Sequence, residues 1–200
     1  MNLKFWRIVS KIGILGLLAT HLMGTVWAQP AFSASSDSNT VIVRYTRTPG
    51  ELEAPDSSTT VTIYGNGRML VHYSPYGARK GDYEMTLSRN KLNELIASLV
   101  GNGVLEFDHE AVDIEKQAIM DVDEMGFSVS DADISSIEIE LASYRPEGAD
   151  TRYDIRKDIL VSALQMEARQ FPSIESLGKL AAAERQLIRL MNSDDLSPLR

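Results

Sequence analysis

The chain has 200 residues, of which 44% are hydrophobic and 24% are charged, and its formal net charge is −8. This is an ordinary globular composition, long enough for one substantial core. The acidic balance makes nucleic acid and anionic lipid surfaces poor partners, and the lack of cysteine excludes a disulfide framework and a lipid-modified cysteine anchor.

Residues 1–28 have the pattern of a secretory signal peptide. Three basic residues precede an apolar run over residues 12–19, and Val26-Trp27-Ala28 fits a cleavage site, which requires smaller residues at its first and third positions. Cleavage after Ala28 removes three basic and no acidic residues, which changes the net charge from −8 to −11. We therefore expect a periplasmic or secreted protein with no membrane contact after cleavage. An uncleaved anchor is the open alternative, because residues 12–28 approach the length of a short spanning helix.

The remaining chain divides into a leader, one domain and a tail. Residues 29–39, rich in Ser and Ala, predict a flexible leader, and residues 193–200 predict a flexible tail. Between them, residues 40–192 predict a single α+β domain.

Thr59–Tyr73 predicts a complete β-hairpin around Gly65-Asn66-Gly67. A two-residue turn would scatter the apolar side chains of the flanking strands. A three-residue loop ending in a left-handed Gly67 instead pairs Ile63 with Met69 and Val61 with Val71, which places all four on one face. The sequence therefore favours the three-residue loop.

Further strands and helices follow from hydrophobic periodicity. Period-two alternation predicts strands over residues 40–47, 82–87, 135–144 and 151–156. Helical spacing predicts a helix from the Ser88 N-cap to Gly101 with a buried stripe of Leu92, Leu95, Ile96, Leu99 and Val100. It also predicts helices over residues 108–125, from Ile159 to before Phe171-Pro172, and from Ser173 or Ser176 to Met191.

These elements predict an antiparallel sheet of about five or six strands with helices packed on one face. The pattern leaves open whether the strands form one sheet or two.

The hairpin Tyr64-Gly65-Asn66-Gly67, the strand beginning Gly81-Asp82-Tyr83 and the helix ending near Leu105-Glu106-Phe107 resemble uncharacterised domains of bacterial exported proteins. Those domains carry a Gly-Asp/Asn-Gly hairpin before a Leu-rich helix. The order of elements from Val41 to Met191 also looks distantly like the emfourin-type inhibitors of thermolysin-like peptidases. The resemblance implies no catalytic residues.

Candidate chemical sites are few. Asp121, Asp123, Asp131 and Asp133 invite a cation-binding interpretation, but an EF-hand loop begun at Asp121 has Ala132 where the bidentate Glu should stand, so the segment 121–133 is left open. Glu138 and Glu140 lie on one side of a strand and could act as a catalytic pair, although a polar outer face also explains them. His72 is better explained as a half-buried strand residue and His109 as a solvated one. No cofactor or metal is expected.

The strongest candidate contact surface is the loop that holds Tyr73, Tyr76, Arg79 and Lys80, because aromatic and Arg side chains are favoured at interface centres. We therefore expect a non-catalytic protein-binding or inhibitory module of the bacterial cell envelope, whose partner is another envelope or extracellular protein. A carboxylate-dependent enzyme and a structural envelope component are the alternatives.

Overall fold

The computed structural model describes residues 31–50, 54, 56–123 and 131–199. The predicted signal peptide lies outside the described residues, as do parts of the loops after β2 and α2. The elements in chain order are β1 (Ala31–Ser33), β2 (Val41–Thr48), β3 (Thr59–Tyr64), β4 (Arg68–Tyr73), β5 (Gly81–Thr86), α1 (Arg89–Gly101), α2 (His109–Asp123), β6 (Ile134–Arg145), β7 (Arg152–Ser162), α3 (Leu164–Gln170), α4 (Glu175–Met191) and β8 (Ser197–Pro198).

In the described part of the chain, all eight strands belong to one antiparallel sheet in the order β1-β6-β2-β3-β4-β5-β8, with β7 paired to β6. The α+β class is therefore confirmed. The strand count exceeds the expected five or six because the two chain ends add β1 and β8. These strands have three and two residues, too few for an alternating pattern to reveal them.

The central hairpin has the predicted register. Ile63 pairs with Met69 and Val61 with Val71, and Gly67 has a φ of +89°. The backbone N–H of Gly67 donates to Tyr64 at 2.8 Å, which closes the three-residue loop. The four apolar side chains are at most 1% exposed, so register and burial agree.

The inner face of the sheet and the helices share one hydrophobic core. Alternate residues of the central strands face this core, while the intervening residues are mostly polar and at least partly exposed on the outer face. The helices therefore cover one face, as expected. The inner-face side chains of the sheet include Val43, Tyr45, Val61, Ile63, Met69, Val71, Ile137, Ile139 and Leu141, and the helical ones include Leu92, Leu95, Ile96, Leu99, Leu177, Leu180 and Leu187.

Helix α1 begins and ends with defined caps. The Ser88 hydroxyl accepts a hydrogen bond from the backbone N–H of Lys91, which confirms the predicted N-cap. At the C-terminus, Gly103 donates to the Val100 carbonyl and Val104 to the Leu99 carbonyl, a Schellman motif with Gly103 at a φ of +69°. The residue that ends the helix is therefore Gly103, and Gly101 is the last residue inside it.

Helix α2 forms where the sequence predicted a helix, but a different side is buried. The apolar stripe read from the sequence was Ala111, Ile114, Ala118, Ile119 and Val122, yet Ile114 is 64% exposed and Val122 is 81% exposed, and of the five only Ile119 is partly buried. Val112 is buried instead, with Lys116, Ile119 and Met120 partly buried, and these four also have helical spacing. Both stripes fit the period of 3.6, and the ion pair of Lys116 with Glu167 of α3 accompanies the second orientation.

Strand β7 corrects a helix prediction. Residues 159–163 were assigned to the start of a helix, but β7 continues to Ser162 and α3 begins at Leu164. Ile159 and Val161 are buried while Leu160 is 63% exposed, which is period-two burial against β6. The apolar run Ile159-Leu160-Val161 fits the period of a helix and that of a strand, so pairing with β6 determines that it forms a strand.

Short strands form within both the predicted leader and the predicted tail. β1, inside the predicted leader, pairs with residues 143–145 of β6. In the predicted tail, Leu196 is only 7% exposed and β8 pairs with β5. Burial of Leu196 gives the tail an apolar anchor that its polar neighbours obscure in the sequence.

Among the helices that the structure describes, none has both the length and the apolar character required to cross a membrane.

Candidate functional site

The candidate contact surface is the loop of residues 74–80 between β4 and β5, called here the Tyr76 loop. Tyr76 is 56% exposed and Lys80 is also exposed. Tyr73 was expected to be exposed on the contact surface, but this last residue of β4 is only 6% exposed. Strand alternation explains this, since Met69, Val71 and Tyr73 all face the core.

Arg79 connects the Tyr76 loop to the body of the protein. Its guanidinium carbon lies 5.0 Å from the ring centroid of Tyr73 and 4.1 Å from that of Tyr83. Its Nη1 donates to the Tyr73 hydroxyl at 3.2 Å, and its Nη2 donates to the Leu196 carbonyl at 3.5 Å. Arg79 is therefore largely occupied by contacts within the chain.

The rings of Tyr73 and Tyr83 both contact the guanidinium of Arg79. Tyr73 and Tyr83 meet edge to face, with ring centroids 5.3 Å apart and planes at 88°. The Tyr73 hydroxyl donates to the carbonyl of Met191, the last residue of α4. Burial raises the pKa of this hydroxyl, although the nearby Arg79 opposes the change, so the group keeps the proton that it donates.

The Tyr76 loop also has internal hydrogen bonds. The backbone N–H of Tyr76 donates to the Ser74 hydroxyl at 3.3 Å, and that of Gly77 to the Ser74 carbonyl at 3.2 Å. With Arg79 as anchor, these bonds fix the backbone that carries Tyr76 and Lys80. The arrangement can present an aromatic ring and an ammonium group to a partner at a small cost in loop entropy.

The two glutamates considered as a catalytic pair lie on the outer face of the sheet. Glu138 accepts a hydrogen bond from Arg44 at 3.0 Å, and Arg156 lies 3.9 Å from the same carboxylate oxygen. Glu140 is exposed. Glu138 is therefore part of a charge ladder across β2, β6 and β7.

His72 occupies the expected half-buried strand position, with its side chain 36% exposed. Nδ1 lies 2.7 Å from Asp82 and Nε2 lies 2.9 Å from Asp56, so the ring joins β5 to the loop before β3. The hydrogen bond with Asp82 raises the pKa of His72, with a further contribution from Asp56. His109 is exposed at the start of α2, where its ring and that of Phe107 are perpendicular, with centroids 4.9 Å apart.

The acidic segment 121–133 lies partly outside the described residues. Asp121 is exposed. Both Nε and Nη2 of Arg47 donate hydrogen bonds to the carboxylate of Asp133. Within the described ranges, no three His, Asp or Glu side chains come together as a group that could hold a metal ion.

Sequence reasoning missed Glu184, which is only 3% exposed. Its Oε1 accepts hydrogen bonds from the hydroxyls of Tyr45 and Ser135, and its Oε2 accepts one from the Gln165 amide. Burial, followed by the charge of Glu184, raises the pKa of Tyr45, so Tyr45 remains a donor. A signal was present in the sequence, because position 184 fills the gap in the buried α4 stripe between Ala181 and Leu187.

Comparison with known proteins gives no relative: no protein-family model matches the chain, and no curated protein or solved structure matches it.

Proposed function

We propose that this chain is a non-catalytic protein-binding module that acts in the periplasm or outside the cell, with the Tyr76 loop as its contact surface. The observation that carries the proposal is the exposure of Tyr76 on a loop anchored by Arg79. Tyrosine combines a large apolar area with few rotatable bonds, so an exposed Tyr on a hydrogen-bonded loop is an effective interface anchor.

Within that loop, the proposal assigns the contact to Tyr76 and Lys80. Tyr76 and Lys80 are exposed, whereas Tyr73 and Arg79 support them from below. Replacing Arg79 would disturb the attachment of the loop to Leu196 as well as any contact with a partner. A test of binding should therefore change Tyr76 and Lys80 and leave Arg79 in place.

Affinity capture from a native envelope and secretome extract tests the proposal. The baits are the chain from Gln29 to Arg200, the double variant Tyr76→Ala/Lys80→Ala, and a matched control, Tyr153→Ala/Lys91→Ala. Tyr153 is 72% exposed and Lys91 is also exposed, so the control removes the same side-chain types from other surfaces. Circular dichroism must first show that all three baits are folded.

We expect one protein to be retained by the parent and the control and lost by the Tyr76→Ala/Lys80→Ala bait. Reconstitution of that complex from purified proteins then gives its affinity. Equal retention by all three baits would remove the Tyr76 loop from the proposal. Loss with the Tyr153→Ala/Lys91→Ala control alone would also contradict the Tyr76 loop and would place the contact at Tyr153 of β7 or Lys91 of α1.

The export part of the proposal has its own test. Intact-mass analysis of protein recovered from the envelope and medium of an expressing bacterium should give a chain that begins at Gln29. A mass that retains residues 1–28 would contradict removal of the signal peptide and support the anchor alternative.

A further inference from the structure

The buried carboxylate of Glu184 lies in the wall of an open cleft of about 260 Å³, called here the Glu184 cleft. Its polar wall includes Ser135, Gln165 and Asp133, and its apolar wall includes Leu164, Met166 and Ile188. The cleft lies between the starts of β6 and α3 and the middle of α4, away from the Tyr76 loop in the sequence and in its contacts.

Three neutral donors surround the Glu184 carboxylate. An ionised carboxylate only accepts hydrogen bonds and has about four lone-pair positions, so donation by Tyr45, Ser135 and Gln165 fits the ionised form. Oε1 accepts two of these bonds and Oε2 accepts one. One acceptor position is therefore left on Oε2.

The polar wall holds Oε2 in a defined position. Arg185 donates to the Gln165 side-chain oxygen at 2.9 Å, which directs the Gln165 amide nitrogen to the Ala181 carbonyl and to Glu184. The Gln165 amide thus cannot turn its oxygen toward the carboxylate without losing these partners. The free position of Glu184 is preorganised as an acceptor.

The negative charge of Glu184 lacks a direct cationic partner. Over residues 31–199, with the gaps given above, no Lys, Arg or His nitrogen lies within 4.0 Å of its carboxylate oxygens. Arg47 also lines the cleft and interacts electrostatically with Glu184, but its guanidinium donates its hydrogen bonds to Asp133. Buried charges are usually paired, because removal from water is costly without a counter-charge.

We propose that the Glu184 cleft binds a primary ammonium or guanidinium group carried on a short aliphatic chain. The cation donates to Glu184 Oε2 and so supplies a directly hydrogen-bonded counter-charge, while the aliphatic chain packs against Leu164, Met166 and Ile188. Arg169 also lines the cleft, but it is exposed, so solvent screens its repulsion of a bound cation. This proposal is independent of the Tyr76 loop.

Isothermal titration of the Gln29 to Arg200 chain with n-butylammonium and n-butylguanidinium tests the proposal, with 1-butanol as the neutral control of similar shape. We expect saturable binding of at least one cation and none of the alcohol. Titration with a capped lysine, N-acetyl-lysine methylamide, distinguishes two sources of the cation. Binding as tight as that of the free amine identifies a protein side chain, whereas binding of the free amine alone identifies a small molecule.

Two variants locate the binding. Glu184→Gln should weaken it at least about tenfold, the loss expected for one charge-assisted hydrogen bond. Because Glu184→Gln could also disturb folding, Met166→Trp provides an independent block. Met166 is 45% exposed in the cleft wall and makes no hydrogen bond to Glu184 through its side chain, so the indole should fill the cleft and abolish binding.

The matched control for the block is Leu160→Trp, which adds the same ring on the outer face of the sheet, where Leu160 is 63% exposed. This variant should bind the cation as the parent does. The proposal is overturned if no cation binds saturably, if 1-butanol binds equally well, or if folded Met166→Trp protein binds with unchanged affinity.

Discussion

The guanidinium carbon of Arg79 lies 4.1 Å from the ring centroid of Tyr83, within the range of a cation–π contact. The same guanidinium reaches the Leu196 carbonyl, so one side chain joins the Tyr76 loop, β5 and the C-terminal segment. Arg79 therefore supports the loop, and exposed Lys80 beside it provides a natural comparison.

Arg79→Ala should lower the free energy of unfolding by about 1–2 kcal/mol, because it removes a cation–π contact and a hydrogen bond to Tyr73. Urea denaturation measures this change. Lys80→Ala is the control and should stay within about 0.5 kcal/mol of the parent, as expected for an exposed residue. Equal losses in the two variants would contradict the anchoring role of Arg79.

Leu95→Asp should prevent folding, because Leu95 is 3% exposed in the core and an unpaired carboxylate would be buried there. The expected result is loss of the cooperative thermal transition in circular dichroism. Asn93→Asp adds the same charge on the exposed side of α1 and should keep the transition. An unchanged melting temperature for Leu95→Asp would refute the packing of α1 on the sheet.

Gly67 and Gly81 form a matched pair, with φ values of +89° and +82°. An added Cβ at Gly67 would overlap the Leu87 carbonyl oxygen, whereas at Gly81 it would meet nothing within 4 Å. Gly81→Ala should cost about 1–2 kcal/mol of left-handed strain. Gly67→Ala should lower the free energy of unfolding by at least about 1 kcal/mol more than Gly81→Ala, because the backbone at Leu87 must move to admit the methyl group. Denaturant titration of both variants measures the difference, and equal costs would exclude the steric effect.

His72 should make stability depend on pH. Its hydrogen bond with Asp82 raises the pKa in the folded protein above the ordinary 6.5, so the protonated ring favours the folded state. The contribution is complete below pH 6.5 and is lost as the pH rises through the folded pKa. The difference in unfolding free energy between the parent and His72→Gln should shrink over that interval.

Asp82→Asn removes the larger cause of the His72 shift and serves as the control. In this background, replacing His72 should change the pH dependence of stability less than it does in the parent. A stability difference that is constant with pH in the parent background would contradict the linkage.

Much of the fold could be predicted from patterns among residues close together in sequence. The register of the central hairpin follows from Gly67 and the pairing of Ile63 with Met69, all within one short window. The cap at Ser88 and the buried stripe of α1 are also local properties. Interactions between neighbours in sequence are visible in the sequence itself.

The sequence predictions were wrong or incomplete where contacts between residues far apart in sequence determine which side chains are buried. Val112 and Ile114 are equally apolar, and only packing determines that the first is buried and the second exposed. Glutamate is typical of the exposed side of a helix. The buried hydrogen-bonding environment of Glu184 is formed by Tyr45 and Ser135, which are 139 and 49 residues away in sequence. No window of sequence brings these groups together.

The pairing of β2 with β6 has a consequence for how fast the chain folds. Arg44 and Glu138 are 94 residues apart in sequence, and Ser33 and Ser143 of β1 and β6 are 110 apart. Because the search for such distant partners slows folding, the sheet should close late and only after most of the chain has been synthesised. The local β3–β4 hairpin can form early, before β6 and β7 are available to complete the sheet.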